Sequence, residues 1–317
     1  MPRWFFLLSA FSLIFYQTLD NMDGKQARRT GSSSPLGQIF DHGCDATNAF
    51  FSGVNFGVTA CCGTDSPRLL ALIFLLPTIP FYVATWEEWH TGCMLLPGPI
   101  NGPSEGLLMM VGFNLATWWW GPEWWGWVVP GSGDLLGAAL GPAFSGGLTS
   151  SDTMLVVSSG LGAVTVLAQV AGVPLHYYRK GSRGADVLAP LAGLLPLAWV
   201  CGFGGLWMGA SRGLLHDRPR AFAALLMTLF VEAVVCLIFT HVTHSRFQVV
   251  RTLSLPLPVC WLLAARGGFT RLQQEILLVA YLYIALAYVA SLLVYIVREC
   301  CDTLGVQCFR ITPKANL

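Results

Sequence analysis

The chain has 317 residues, of which 54% are hydrophobic and only 11% are charged. With a mean hydropathy of +0.60, this composition excludes an ordinary soluble domain and predicts a protein with many membrane-spanning segments. The formal net charge is +1 and no basic tract is present, so the charge pattern gives no support for nucleic-acid binding.

Apolar segments of nearly membrane-spanning length recur along the whole sequence. A helix needs about 20 apolar residues to cross a bilayer, and the first and eighth segments are short. The sequence therefore predicts an all-α, polytopic integral membrane helix bundle with about nine transmembrane helices. The segments are 4–19, 37–62, 68–86, 105–120, 153–177, 185–208, 220–243, 252–265 and 273–297.

Four aspartates lie where the first apolar segment ends and the second begins. Asp20 and Asp23 are three residues apart and Asp41 and Asp45 are four apart, so each pair lies on one helix face. If the faces converge, the carboxylates repel one another and lose hydration unless cations neutralise them. Oxygen ligands favour Mg²⁺ or Mn²⁺ over zinc or copper. The alternative is four solvated carboxylates that only border the membrane.

Small and cationic residues accompany these aspartates. Gly24 and Ala27 remove side-chain bulk beside Asp23, which leaves room for a nucleotide. Gly37 is expected to let the two helices approach each other closely. Arg28 offers a planar guanidinium for phosphate oxygens.

Together these residues form the spacing D-x2-D-G-x2-A-R-x8-G-x3-D-x3-D between positions 20 and 45. This spacing resembles the signature of the CDP-alcohol phosphotransferases. The wider stretch reads YQTLD at 16–20, KQARRT at 25–30 and DHGCD at 41–45, and it resembles the choline/ethanolamine phosphotransferase branch. Eight fixed positions in 26 residues rarely coincide by chance, so the motif is specific.

The resemblance implies a single membrane domain over 1–317 with its catalytic motif at 20–45. It implies transfer of phosphocholine or phosphoethanolamine from CDP-choline or CDP-ethanolamine to diacylglycerol, with release of CMP. The expected location is the membrane of the endoplasmic reticulum or Golgi, and a homodimer is compatible with it. Relatives carry one more helix before the motif, so the chain is expected to be a shortened form of a ten-helix pattern.

The resemblance also implies roles for the motif residues. Asp20, Asp23 and Asp41 would hold two Mg²⁺ or Mn²⁺ ions, with Asp45 completing the second site. The nucleotide part of the substrate would lie against the motif's small and cationic residues, which are Gly24, Ala27, Arg28 and Gly37.

Two residues are candidates for the general base that takes the proton of the acceptor hydroxyl. His42 lies three residues before Asp45 and should point close to the same site. A metal-bound aspartate is a poor base, whereas an imidazole, with an ordinary pKa of about 6.5, suits cytosolic pH. The resemblance instead favours the fourth aspartate, Asp45, and the sequence leaves both residues open. Relatives with the DHGCD string often carry Glu where this chain has Gln38.

The loop 20–36 is expected to face the cytosol. The long loop 121–152 contains no Lys or Arg, as is typical of a lumenal loop, and its tryptophans are predicted to form an interfacial belt with those at 118–120. The string at 86–91, WEEWHT, has two interpretations: its acids and indoles could bind an ammonium headgroup, or it could be an interfacial anchor with solvated acids. His241 and His244 are interpreted as structural.

Three other functions use similar residues. A prenyltransferase would hold Mg²⁺ and pyrophosphate on two aspartate clusters far apart in the chain, whereas both pairs here lie within 26 residues. An ion-coupled transporter would carry its acids near helix midpoints. A related enzyme with a serine or inositol acceptor would use CDP-diacylglycerol as donor, and only the wider resemblance argues against it.

Overall fold

The computed structural model describes residues 1–63, 74–92, 103–133 and 146–308. Within these ranges the chain is helical and contains no β-strand, which confirms the all-α class; an isolated bridge pairs Val128 with Thr149. The main helices are α1 (Trp4–Thr30), α2 (Pro35–Thr59), α3 (Ile79–Thr91), α4 (Pro103–Trp120), α5 (Ser150–Arg179), α6 (Leu195–Ala210), α7 (Pro219–Thr243), α8 (Pro256–Ala265) and α9 (Arg271–Leu304).

Shorter helical turns precede three of these helices. A π-helical turn, Phe74–Thr78, leads into α3, and a 3₁₀ turn, Thr252–Ser254, leads into α8. Ala185–Leu188 and the 3₁₀ segment Ala189–Leu194 run directly into α6. Each apolar segment that the sequence predicts is helical over most of its described length, although 37–62 leaves the helix after Thr59 and 68–86 is described only from residue 74 onward.

Four helical stretches in the described ranges are long and apolar enough to cross a membrane. They are Ser150–Arg179, Ala185–Ala210, Pro219–Thr243 and Arg271–Leu304. The protein is therefore a helical membrane protein with several spans, and the count of nine stays a prediction.

The residue contacts divide into two compact units, each built from three stretches of chain. The first unit comprises Met1–Thr18, Phe50–Pro80 and Leu96–Leu167, and the second comprises Leu19–Ala49, Phe81–Leu95 and Ala168–Leu317. A single domain over 1–317 stays a prediction.

In the first unit, polar side chains join three apolar helices. The fully buried Asn114 of α4 donates to Asn55 Oδ1 of α2 at 3.1 Å, and Thr59 donates to Asn114 Oδ1 at 3.1 Å. Asn55 in turn donates to Ser9 of α1. Such interhelical hydrogen bonds fix helix register in a membrane, where apolar packing alone is unselective.

The predicted tryptophan belt is only partly correct. Trp119, Trp120 and Trp127 are exposed, as interfacial anchors are. Trp125 is instead 1% exposed, and its indole donates to Thr117 at 2.7 Å. It packs on Phe56 because the 3₁₀ turn Pro122–Gly126 folds it back toward the helices, so it belongs to the core of the first unit.

The core of the second unit surrounds α7. This helix has apolar residues on all sides, and most of its residues are buried. Both features are typical of a helix at the centre of a bundle. It packs along α9, where Trp207 of α6 also contacts Phe222 and Tyr281. The α6 helix packs against α8 in the same unit.

Candidate active site and metal centre

The first two acids of the motif lie inside α1. The prediction of a loop over 20–36 was wrong, because α1 continues to Thr30 and only four residues separate it from α2. Residues 25–29 include Lys, Gln, Ala and Arg, which are strong helix formers, so the change from apolar to polar does not end the helix.

The helix ends where the backbone conformation changes. Gly31 has a φ of +65°, and Ser32 N–H donates to the Ala27 carbonyl at 2.9 Å, which completes a Schellman motif. Ser34 then caps α2 by accepting from the Gly37 N–H at 3.1 Å, with Pro35 as the first helical residue. This four-residue connection holds the end of α1 next to the start of α2.

The two aspartate pairs converge, as their spacing predicted. Carboxylate oxygens of Asp20, Asp41 and Asp45 all lie within 4.8 Å of one another, and the three residues are half-buried. The exposed Asp23 lies with its carboxyl group within hydrogen-bonding reach of Asp41. The cluster thus contains one acid of α1 and two acids of α2, and Asp23 of α1 acts electrostatically on Asp41.

The chemistry of this cluster fits a hard divalent cation. Two oxygens bound to one Mg²⁺ lie at most about 4.2 Å apart, which is only slightly less than the 4.8 Å that bounds the three carboxylates. Crowded like charges raise the energy of the cluster until a cation neutralises them. The residues present therefore suit Mg²⁺ or Mn²⁺, and the number of ions stays a prediction.

The small and cationic residues of the motif lie beside the acids on the same helices. A Cβ added to Gly24 would lie 3.5 Å from Arg28 Nη1, so the guanidinium covers this glycine one turn away. At Gly37 the expected close approach of two helices is absent among the described residues, because the nearest atom to an added Cβ is Ser34 Oγ of the preceding turn, at 3.5 Å. Gly37 thus borders open space.

His42 follows Asp41 on α2 and is half-buried. Its Nδ1 atom is buried and has no hydrogen-bond partner among the described residues, so Gln38, one turn earlier, does not orient the ring. The imidazole lies near Phe81 of α3, with 6.5 Å between ring centroids. Gly43 of the same turn faces α7, where an added Cβ would lie in ordinary contact with Val235 at 3.7 Å.

The WEEWHT string at the end of α3 is more deeply placed than an interfacial anchor. Glu87 is 1% exposed and accepts a 2.9 Å hydrogen bond from Gln169 of α5. Trp86 is fully buried, and its indole donates to the Pro190 carbonyl at 2.9 Å. The interpretation as an anchor with solvated acids is therefore wrong for Glu87, which packs between helices.

One further histidine lies near the site. His241, at the end of α7, lies within electrostatic range of both His42 and Glu88, and its interpretation as structural stays a prediction. No local signal distinguishes this histidine, because its position depends on how α7 packs against α2 and α3.

Comparison with known proteins identifies the family of this chain. The family model for CDP-alcohol phosphatidyltransferase matches residues 2–129, a range that includes both aspartate pairs. The chain is 33% identical to choline/ethanolaminephosphotransferase 1 of Arabidopsis thaliana, over 99% of this chain and 80% of the relative. It is 31% identical to an uncharacterized CDP-alcohol phosphatidyltransferase class-I family protein of Dictyostelium discoideum, over 99% and 81%. A shorter match, 36% identical, covers 41% of this chain and 31% of cholinephosphotransferase 1 of Bos taurus.

The chain belongs to the CDP-alcohol phosphatidyltransferase family. It is therefore a transferase of the CDP-alcohol class, with a CDP-linked alcohol and a lipid as the expected substrate types. The aspartate cluster of this CDP-alcohol phosphatidyltransferase lies on α1 and α2, and the apolar helices that follow make it a multi-pass membrane protein.

Proposed function

We propose that this CDP-alcohol phosphatidyltransferase transfers phosphocholine, phosphoethanolamine or both from the CDP ester to 1,2-diacylglycerol. The products are phosphatidylcholine or phosphatidylethanolamine, and CMP. The observation that carries this proposal is the cluster of Asp20, Asp41 and Asp45, whose carboxylate oxygens lie within 4.8 Å of one another. The names of the Arabidopsis and bovine relatives support the choice of alcohol.

The acids would hold the metal in this reaction. Asp20, Asp23, Asp41 and Asp45 would bind two Mg²⁺ or Mn²⁺ ions, which when bound supply positive charge to the pyrophosphate and stabilise the negative charge that develops as it breaks. Arg28 would bind phosphate oxygens from the α1 side. The nucleotide would occupy space left by the motif's small residues, which are Gly24, Ala27 and Gly37.

The transfer itself requires one proton acceptor. The diacylglycerol hydroxyl oxygen attacks the phosphorus that carries the alcohol, the bond to the CMP phosphate breaks, and CMP leaves with the electron pair. The hydroxyl proton passes to His42 or to Asp45. His42 suits this role because it follows Asp41 directly but is not one of the three clustered residues that could hold a metal ion. Direct attack needs no phosphoenzyme intermediate, so it is the simplest path.

The substrates place the site at a membrane surface. CDP esters are water-soluble and diacylglycerol is not, so we propose a site facing the cytosol in the endoplasmic reticulum or Golgi membrane. In a cysteine-free background, a cysteine at the exposed Ser33 should react with an impermeant maleimide from the cytosolic side. A cysteine at the exposed Gly146 should react only after permeabilisation. The reverse pattern would invert the orientation.

Purified protein tests the reaction directly. CDP-choline and CDP-ethanolamine are each offered with diacylglycerol, and CDP-diacylglycerol is offered with serine or inositol as the competing reaction. We expect CMP release and phospholipid formation only with the first pair, abolished by EDTA and restored by Mg²⁺ or Mn²⁺. Product only from CDP-diacylglycerol would move the protein to the other branch of the family.

A further inference from the structure

The α3 helix presents three faces, and each meets a different neighbour. Tyr82 and Trp86 donate to the backbone carbonyls of Gly193 and Pro190, at 2.9 Å each. The second face carries Glu87, which accepts from Gln169 of α5. The third face begins at Phe81, whose ring lies near His42.

Helical periodicity assigns Glu88 to the third face. Residues 81, 85 and 88 follow the i, i+4, i+7 pattern, so they form one stripe along α3. Glu87 is rotated from that stripe by about 100°. Two adjacent glutamates of one string therefore face different surroundings, Glu87 toward α5 and Glu88 along the stripe that meets His42.

The electrostatic neighbours of Glu88 agree with this placement. His241 of α7 lies within electrostatic range of the Glu88 carboxylate and also of the His42 imidazole. Glu88 is half-buried, and its carboxylate makes no hydrogen bond or ion pair with any residue of 1–63, 74–92, 103–133 or 146–308. A half-buried carboxylate is stabilised when a cation approaches it.

We propose that Glu88 binds the ammonium group of the alcohol that the CDP ester carries. This inference rests on the proposed function. With the pyrophosphate at the aspartate cluster, the alcohol extends past His42 toward α3, where Glu88 supplies negative charge. Phe81, on the same stripe, supplies a ring face that attracts a quaternary or primary ammonium. A CDP-diacylglycerol donor carries no cation on its alcohol and would leave Glu88 without such a ligand.

The test compares two glutamine variants with two substrates. Glu88→Gln removes the charge on the site face, and Glu87→Gln is the matched control one residue away. The substrates are CDP-choline and its neutral isostere CDP-3,3-dimethylbutanol, which has carbon in place of nitrogen. The KM of wild-type enzyme should be about tenfold lower for the charged ester. This factor lies between the effects of an exposed and of a buried charge pair. Glu88→Gln should lose that preference, and Glu87→Gln should keep it.

Each outcome decides the inference. If Glu88→Gln lowers kcat equally for both esters with KM unchanged, Glu88 acts on proton transfer through His241 and the proposal is wrong. Equal KM values for the two esters in wild-type enzyme overturn it without any variant, which covers the case in which Glu88→Gln does not fold. Absence of transfer from CDP-choline and CDP-ethanolamine by wild-type enzyme would instead overturn the proposed function.

Discussion

The second unit contains a single carboxylate that the chain neutralises and a cluster of carboxylates that crowd together. Glu232 of α7 is 1% exposed and accepts hydrogen bonds from the Arg251 guanidinium, one of them 3.0 Å long from Nε. Asp20, Asp41 and Asp45 are half-buried, and their carboxylate oxygens crowd within 4.8 Å. The chain supplies the counterion to Glu232, whereas the cluster concentrates negative charge.

This difference separates a structural charge from a functional one. A buried ion pair holds its segments in place, and here Arg251 precedes the 3₁₀ turn that leads into α8. That turn is also fixed by Trp199 and Tyr281, which donate to the Ser254 and Leu253 carbonyls. Crowded acids do the reverse: they destabilise the empty protein and bind a cation strongly. Substitutions in the aspartate cluster should therefore lower activity without lowering stability. Substitutions in the Glu232–Arg251 pair should act on stability.

Removing one acid of the cluster should have the largest effect on activity. We expect Asp41→Asn to lower turnover at least about 10³-fold, because a bound metal contributes several kcal/mol to the transition state. The same substitution relieves repulsion, so the melting temperature in EDTA should not fall. The stabilisation by Mn²⁺ seen in wild-type protein should be lost. Normal turnover in Asp41→Asn, or undiminished stabilisation by Mn²⁺, would contradict the metal centre.

The loss of His42 should affect turnover but not metal binding. We expect His42→Ala to lower kcat by about 10²–10⁴-fold, the usual range for general-base catalysis, while the Mn²⁺-induced shift in melting temperature is retained. Asp45→Asn is the comparison, because it should weaken metal binding if Asp45 is chiefly a ligand. Near-normal turnover in His42→Ala, with metal binding retained and turnover lost in Asp45→Asn, would assign the base to Asp45.

Breaking the internal ion pair should act on stability. Arg251→Met leaves Glu232 buried without its guanidinium, which typically costs about 3–5 kcal/mol of unfolding free energy. The double variant Arg251→Met/Glu232→Met should recover most of this, since replacing both charges is often neutral. Unfolding in detergent measures it, with the exposed Arg246→Met as control. A double variant no better than the single one would show that the charges do more than neutralise each other.

Local patterns predicted the convergence of the aspartates. The spacing of the four aspartates fixes their helix faces, and a short connection leaves the two helices little choice but to pair, so Asp20, Asp41 and Asp45 meet as expected. The end of α1 was missed because the change in polarity at Asp20 was interpreted as a loop. The true signals, Gly31 and the Ser34-Pro35 start of α2, were present in the sequence.

Long-range packing set what the sequence could not reveal. Glu87 and Glu88 are chemically identical neighbours, and their different roles depend on Gln169, which lies more than 80 residues further along the chain. The position of His241 within electrostatic range of His42 depends on contacts of α7 across almost 200 residues. No local period encodes such partners.

Neutral polar groups offer an intermediate case. Asn114→Leu in the first unit removes hydrogen bonds with Asn55 and Thr59 at nearly constant volume. Interhelical bonds in membranes contribute about 0.6–1.7 kcal/mol each, so we expect a loss of about 1–2 kcal/mol in unfolding free energy. Thr165→Val is the matched control, because among the described residues Thr165 bonds only to the Leu161 carbonyl of its own helix. Equal losses in the two variants would remove the interhelical role.

An exposed ion pair should have the smallest effect, and pH should control it. Asp217, in the short helix Arg212–Asp217, accepts from His216 at 3.1 Å and from Arg271, and these bonds lower the pKa of its carboxyl below the ordinary 3.8. Folding then favours the charged form, so its contribution is present above pH 3.8 and disappears as the pH falls through the lower folded value. Asp217→Asn should slightly lower the melting temperature at pH 7 and have no effect well below pH 3.8. The exposed Asp186→Asn should leave the melting temperature unchanged at both pH values. A loss for Asp217→Asn that is the same at both pH values would mean that packing, and not charge, holds this helix to α9.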